Sequence, residues 1–210
     1  MTLLIKVLEI KDLYHVAQLH RLAFTQSLLT YLGQEVVRRY YEWLLLGPHE
    51  TTALGAFADD MLVGFCFGGI FRGAMNGFIR KNRYYLMWKI CTHPKVVKNA
   101  EFRQRMALGW KSKIFRKVNL YHGVSMPTPL YRHSGILAIG VDPMMQRKGI
   151  GKLLMEAAEE QARQKGHREM RLTVEINNLV AINFYENIGW EKVPSQEGTF
   201  QGAMRKIITR

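Results

Sequence analysis

The chain has 210 residues, 48% of them hydrophobic, which is enough for one globular domain with a buried core. Its two cysteines, Cys66 and Cys91, have neither metal-ligand spacing nor the pattern of a disulfide framework, so we expect reduced packing residues. The chain begins without the features of a secretory signal, and charges interrupt every apolar run before it reaches membrane-spanning length, which predicts a cytoplasmic protein.

The net charge of +13 is concentrated in one segment. Residues 72–132 contain 14 of the 30 Lys and Arg residues and only one acidic residue, Glu101, while the rest of the chain is electrically neutral. A positive region of this kind attracts anions such as phosphates, acidic lipid headgroups or nucleic acid.

Regular elements are predicted throughout the first 71 residues. Residues 3–8 alternate as in a strand, and Asp12 is the expected N-cap of a helix that follows. A second amphipathic helix is predicted over Gln34–Leu46, where Gly47 and a proline end it. Residues 52–58 and 62–70 are typical of two antiparallel strands joined by a tight turn.

Residues 72–132 are predicted to be a basic helical insertion. Apolar residues recur at helical spacing over 101–118 with Lys and Arg between them, and residues 78–91 favour another helix. Two prolines in residues 124–130 indicate a loop.

Regular alternation resumes after the insertion. The pattern predicts strands and helices in this order: strand 135–141, helix 149–165, strand 169–176, helix 179–188, and strands near 190–193 and 204–208. Together with the N-terminal elements this indicates an α/β (α+β) fold, a mixed central β-sheet flanked by helices.

The most informative stretch joins the strand ending at Val141 to the helix that starts at Gly149. Backbone N–H groups at a helix N-terminus are unpaired and carry a positive dipole, so this junction suits a phosphate or pyrophosphate. Glycines at 149 and 151 permit close approach of a ligand. A tight turn with a solvated basic rim is the alternative interpretation. A Rossmann fingerprint needs Gly where Leu154 stands, and a Walker loop needs Ser or Thr where Leu153 stands. Both motifs are therefore excluded.

Two segments resemble motifs of the GCN5-related N-acetyltransferase (GNAT) superfamily. Gln146, Gly149 and Gly151 match its acetyl-CoA loop: Gln or Arg, two residues, Gly, one residue, then Gly or Ala. Residues 178–190 resemble its Asn-x-x-Ala-x-x-Phe/Leu-Tyr-Glu-x-x-Gly-Phe segment, with Trp190 in place of the usual Phe. The resemblance is specific over 136–190 and absent over 72–132.

The resemblance implies a single N-acetyltransferase domain over 1–210 with the GNAT acyl-CoA N-acyltransferase fold. It implies acetyl-CoA as cosubstrate and no metal. Acetyl would pass to a primary amine of a small molecule, sugar or peptide by direct attack. The cofactor-binding residues that it implies are Val141, Gln146, Arg147, Lys148, Gly149, Ile150, Gly151, Lys152 and Asn178.

The resemblance also implies individual roles. Backbone amides of residues 147–152 would hold the CoA pyrophosphate, and the Val141 amide would polarise the thioester carbonyl beside splayed strands. The Asn178 side chain would form a hydrogen bond with the CoA arm. Tyr185 would be the general acid that protonates the departing thiolate.

No general base is assigned. Thr173 occupies the position of the glutamate that some relatives place before the Asn segment. Glu175, His122 and His133 are the alternatives, each of which has a solvated or structural interpretation.

Other questions stay open. The insertion is interpreted as an acceptor-site lid or as a contact with an anionic membrane surface, which would make the protein peripheral to the membrane. Nucleic acid is disfavoured because no nucleic-acid motif accompanies the charge. The alternative function is a catalytically silent acetyl-CoA-binding or membrane-docking module. The oligomeric state, a homo-oligomer included, is not determined by the sequence.

Overall fold

A computed structural model describes residues 2–71, 73–92 and 133–208. The chain divides into two compact units, one formed by Met1–Leu8, Glu50–Phe71 and Tyr121–Arg210 and the other by Glu9–His49 and Arg72–Leu120. The single-domain interpretation stays a prediction. The predicted helix at 101–118, the predicted loop at 124–130 and His122 lie outside the described residues.

The two units are built from β-strands and α-helices. In chain order they are β1 (Leu3–Val7), α1 (Leu13–Ala23), α2 (Leu28–Leu32), α3 (Gln34–Leu46), β2 (Glu50–Ala58), β3 (Met61–Ile70), α4 (Ala74–Thr92), β4 (Ser134–Val141), α5 (Ile150–Gln164), β5 (Glu169–Thr173), α6 (Leu179–Asn187), β6 (Glu191–Pro194) and β7 (Phe200–Ile207). Two short 3-10 helices, Ile10–Asp12 and Pro143–Met145, precede α1 and α5.

The first unit contains a seven-stranded sheet in the order β1-β2-β3-β4-β5-β7-β6. Its neighbouring strands are antiparallel except for the parallel pair β4 and β5. Asp59 and Asp60 both have positive φ, 46° and 65°, which fits the two-residue turn that a right-twisted hairpin prefers. The sheet and its helices confirm the predicted mixed α/β class.

The core of this unit forms where α5 and α6 bury their apolar faces. The buried residues of α5 recur at helical spacing and include Ile150, Leu154, Met155, Ala158 and Ala162. They share one cluster with Ile182 and Tyr185 of α6 and with strand residues. This packing holds the start of α5 beside the end of β4, which is the junction that the sequence indicates as a binding site.

The second unit is helical in the described residues. Helix α3 spans the predicted residues, with Val36, Val37, Tyr40, Tyr41 and Leu44 buried. Helix α4 includes the predicted helix at 78–91. Helix α2 was not predicted, because five residues are too few to show a helical period.

Two details differ from the sequence-based expectations. Asp12 precedes α1, but its carboxylate accepts a hydrogen bond from the Glu9 amide at 2.9 Å and makes no bond to α1, because a 3-10 turn comes before the helix. Strand β5 ends at Thr173 and not at residue 176. The amide of Val174 makes a further bond to Gly202, whose φ of 89° interrupts regular pairing.

Candidate functional site

The chain turns sharply between β4 and α5. The Asp142 carboxylate accepts a hydrogen bond from the Met144 amide at 2.8 Å, and the Met145 amide donates to the Asp142 carbonyl at 2.8 Å. These bonds form the short 3-10 helix, so Asp142 is a turn residue here. Arg147 then adopts a left-handed conformation with φ of 63°, and Gly149 follows with φ of 79°.

The start of α5 directs several backbone amides into this turn. The first helical bond joins the Leu153 amide to the Gly149 carbonyl at 3.1 Å. The N–H groups of residues 150–152 precede this first donor and therefore have no acceptor within the helix, as at every helix N-terminus. The side chains of Arg147, Lys148 and Lys152 are exposed around them. Donors, helix dipole and positive side chains together suit an anionic group such as a diphosphate.

Gly149 and Gly151 are required for different reasons. Gly149 is the N-cap of α5 in the left-handed region, where a side chain strains the backbone. At Gly151 a Cβ would lie 3.3 Å from the Phe184 ring, so this glycine admits a close approach of α6. The sequence interpretation gave both glycines to the ligand, which stays a prediction, and the structure adds a packing contact at Gly151. This contact joins the two segments that carry the family resemblance.

The pairing of β4 changes along its length. It pairs with β5 only through Ser134, Gly135 and Ile136, and then continues to Val141 without that neighbour. Pairing therefore stops after Ile136, and β5 itself ends at Thr173, one residue beyond its last paired residue. Beyond Ile136 the side of β4 that faced β5 has no strand partner in the described part of the chain.

The Val141 amide points to this unpaired side. Asp142 donates to the Val63 carbonyl at 2.9 Å, and Val141 stands opposite Gly64. Hydrogen-bonded and non-hydrogen-bonded pairs alternate in an antiparallel ladder, so the Val141 N–H and C=O point away from β3. The Gln146 amide group donates to the Val141 carbonyl at 3.3 Å. The Val141 N–H is thus directed to where β5 no longer pairs, beside the start of α5.

Asn178 is placed at the start of α6. Its side-chain oxygen accepts a hydrogen bond from the Ala181 amide at 3.1 Å, which makes it the N-cap. Its side chain is exposed, and its NH₂ group keeps two donors for another acceptor. Capping therefore does not compete with a contact to a ligand.

Tyr185 lies on α6 with its side chain largely buried. It is 8% exposed, and its ring lies 5.2 Å from the Phe184 ring and 6.1 Å from the Trp190 ring, between centroids. Burial raises the pKa of the Tyr185 hydroxyl well above its ordinary value, and nearby Cys66 adds to the shift. Burial also raises the pKa of the Cys66 thiol to about 12. Both groups are therefore protonated at neutral pH.

Trp190 departs from the usual Phe of its motif, and the structure gives the reason. The indole N–H donates to the Glu159 carboxylate of α5 at 3.2 Å. Lys206 of β7 contacts both carboxylate oxygens at 2.8 Å and donates to the Ile188 carbonyl at 2.7 Å. Sequence reasoning missed this cluster. Its one signal is an acid, Glu159, within the buried stripe of α5.

The candidate bases that the structure describes lie at opposite ends of the β4–β5 pair. Thr173 and Glu175 are exposed near the end of β5. His133 precedes β4, with its Nδ1 atom 3.9 Å from Glu169 Oε1 at the start of β5. Since His133 is eight residues before Val141, the two are roughly 26 Å apart along the strand. Burial and nearby Arg171 lower the pKa of His133. Its position is at the wrong end of the strand for a base at Val141.

Two classes of feature are not found in the described residues. They contain no group of three or more His, Cys, Asp or Glu side chains arranged to hold a metal ion. None of their helices combines the length and the apolar character needed to cross a membrane.

Comparison with known proteins adds independent information. The model of the Acetyltransferase (GNAT) family matches residues 120–190. A mycothiol acetyltransferase of Kocuria rhizophila is 37% identical over 57 residues, 27% of this chain and 19% of that protein. An uncharacterised N-acetyltransferase of Methanocaldococcus jannaschii is 41% identical over 54 residues, 26% of this chain and 24% of that protein. The matched segments thus span about a quarter or less of these relatives.

The fold is shared over the whole chain with solved structures. The PaiA N-acetyltransferase of Thermoplasma acidophilum, solved in complex with coenzyme A, superimposes with a TM-score of 0.59 at 19% identity, covering 99% of both chains. The mixed sheet, in which β4 and β5 pair over only three residues, thus has the fold of these N-acetyltransferases. Residues 120–190, which carry both motifs up to Trp190, match the GNAT family.

Proposed function

We propose that this protein is an acetyl-CoA-dependent N-acetyltransferase that transfers the acetyl group to a primary amine of a small molecule, sugar or peptide. One observation carries the proposal: the Val141 N–H, freed where β4 and β5 separate, lies beside the unpaired amides at the start of α5. One end of this junction suits a diphosphate and the other a carbonyl oxygen, the two ends of a CoA thioester.

The pyrophosphate of acetyl-CoA would bind the amides of residues 147–152. Exposed Arg147, Lys148 and Lys152 would add positive charge around it. Gln146 would act indirectly, because its side chain already bonds the Val141 carbonyl and braces the turn. The pantetheine arm would pair with the open side of β4, replacing the strand partner that β5 stops providing.

The reaction follows from these positions. The lone pair of a neutral amine attacks the thioester carbon, and the Val141 N–H stabilises the charge that develops on oxygen. The C–S bond then breaks, and the thiolate takes the Tyr185 proton while the new amide nitrogen loses its extra proton to solvent. The resulting tyrosinate regains a proton from solvent, which restores the enzyme. Burial raises the pKa of Tyr185, which keeps the hydroxyl protonated before the thiolate forms and favours rapid return of a proton to the tyrosinate afterwards. Direct attack needs no residue of this chain to carry the acetyl group.

The test is an amine panel with detection of the free CoA thiol, paired with calorimetry of acetyl-CoA. We expect thiol release that depends on an added amine. In Gly149→Val we expect affinity for acetyl-CoA to fall by about tenfold or more, because a β-branched residue at φ of 79° is strained and displaces the amides.

Gly166→Val is the matched control. Gly166 has the same left-handed backbone, with φ of 81°, but follows the other end of α5, so the strain is similar while affinity should change by no more than about twofold. No heat of binding with acetyl-CoA would refute the proposal. Binding without thiol release for any amine would favour the second candidate, a silent acetyl-CoA-binding module. The observation that favours it is Thr173, which occupies the position where some relatives have a glutamate.

Asn178→Asp separates the two uses of this side chain. Aspartate keeps the capping oxygen for the Ala181 amide, so the melting temperature should stay within about 2 °C, but it loses the NH₂ donor. We therefore expect the KM for acetyl-CoA to rise about five- to tenfold, a loss typical of one hydrogen bond. Steady-state kinetics and thermal melting measure both effects. An unchanged KM would restrict Asn178 to capping.

A further inference from the structure

Helix α4 of the second unit packs through one face. The Trp43 indole donates to the Ala74 carbonyl at 2.8 Å, and the Phe78 ring lies 5.3 Å from the Tyr40 ring. After a kink at Asn82, Leu86 is buried on the same helix. These contacts fix which side of α4 remains outside.

The opposite face carries an exposed apolar stripe. Tyr84, Met87, Trp88 and Cys91 follow the i, i+3, i+4, i+7 spacing of one helical face, and we call them the α4 stripe. Tyr84 is 71%, Met87 62% and Trp88 57% exposed. Single exposed apolar residues are ordinary on protein surfaces, but a contiguous helical stripe indicates an interaction surface.

Cations border this stripe, and α4 contains no acidic residue. Arg83 donates to the Tyr84 hydroxyl at 2.7 Å, and Lys89 lies 6.0 Å from the Trp88 ring centroid. Arg80 and Lys81 are also exposed, one turn before the stripe. The surface therefore complements a partner that is apolar inside and negative at its boundary.

An acidic phospholipid surface fits this pattern best. Trp and Tyr favour the boundary between headgroups and acyl chains, where Lys and Arg extend towards the phosphates. A second copy would bring two sets of cations together, and Met87 and Cys91 offer no stacking surface for bases. We propose that the α4 stripe docks this protein on membranes that contain acidic phospholipids, with α4 lying in the interface.

Vesicle sedimentation of the full chain tests the proposal. We expect binding to vesicles of phosphatidylcholine with about 30% phosphatidylserine, weakened by salt, and little binding to phosphatidylcholine alone. Tyr84→Ser/Trp88→Ser should lower the partition coefficient about tenfold on the acidic vesicles. Leu22→Ser is the matched control: Leu22 is 56% exposed on α1 of the same unit, and its change should leave partition unaltered.

Circular dichroism and thermal melting establish that each variant folds. The proposal is overturned if wild type does not bind acidic vesicles, if neutral vesicles bind equally well, or if the double variant binds like wild type. Dimers that dissociate in the double variant, without vesicle binding, would assign the stripe to a second copy. Retention on nucleic acid without vesicle binding would assign it to nucleic acid. Loss of vesicle binding in a double variant that retains thiol release would separate docking from catalysis and support the proposal.

Discussion

Tyr185→Phe is expected to lower the kcat of acetyl transfer about 100-fold, the lower range for loss of a positioned proton donor. The KM for acetyl-CoA should stay within about twofold, because the ring and its contacts with Phe184 and Trp190 remain. Initial rates of free-thiol release, measured at saturating amine, give both constants. An unchanged kcat for every accepted amine would remove Tyr185 from the mechanism.

The same substitution separates catalysis from folding. The Tyr185 hydroxyl has no hydrogen-bond partner within the described part of the chain, so its removal should not lower the melting temperature at neutral pH. The folded pKa is raised, so the stability that Tyr185 contributes is present below about pH 10 and falls as pH rises towards the folded value. As pH rises above about 10, the Tyr185→Phe variant should therefore lose less stability than wild type. Melting curves over pH measure this difference.

Lys206→Met is expected to destabilise the fold by about 3–5 kcal/mol, because it leaves the Glu159 carboxylate buried without its cation. Glu159 is 4% exposed, and the Trp190 indole alone cannot compensate for the charge. Urea unfolding measures the free energy. Adding Glu159→Met to the Lys206→Met variant should restore most of the loss, because no charge then remains buried.

An exposed ion pair on the same unit is the control for this measurement. Lys192 and Glu186 are 2.9 Å apart with both side chains more than two-fifths exposed, so Lys192→Met should cost less than about 1 kcal/mol. A loss at Lys206 no larger than at Lys192 would show that the Glu159 cluster is not an energetic centre of the fold.

The Glu159 cluster has a consequence for the binding site. Lys206 bonds the Ile188 carbonyl at the end of α6, and Glu159 bonds Trp190 just beyond it. Both bonds attach α6 to α5 and β7, while Gly151 lets Phe184 approach the start of α5. The position of Tyr185 relative to the α5 amides therefore depends on residues that carry no chemistry themselves.

Local features were predictable from the sequence because they depend on neighbouring residues. The periodicity of Gln34–Leu46 and the Asp59–Asp60 turn correspond to elements that the structure contains. The loop from Val141 to Gly151 was recognisable because the end of a strand, two glycines and the start of a helix lie within a few residues of one another. Short-range hydrogen bonds and backbone preferences determine such features.

The sequence by itself indicated the mixed α/β class, the resemblance to the GNAT superfamily, most strands and helices in their order, and the segment that carries the candidate cofactor site. Only the tertiary structure decided that the Val141 amide points away from β3, that Gly151 accommodates Phe184, that the Trp190 indole donates to Glu159, and that His133 lies at the far end of β4. These facts depend on strand pairing and burial between residues distant along the chain, and no local pattern records which distant groups meet.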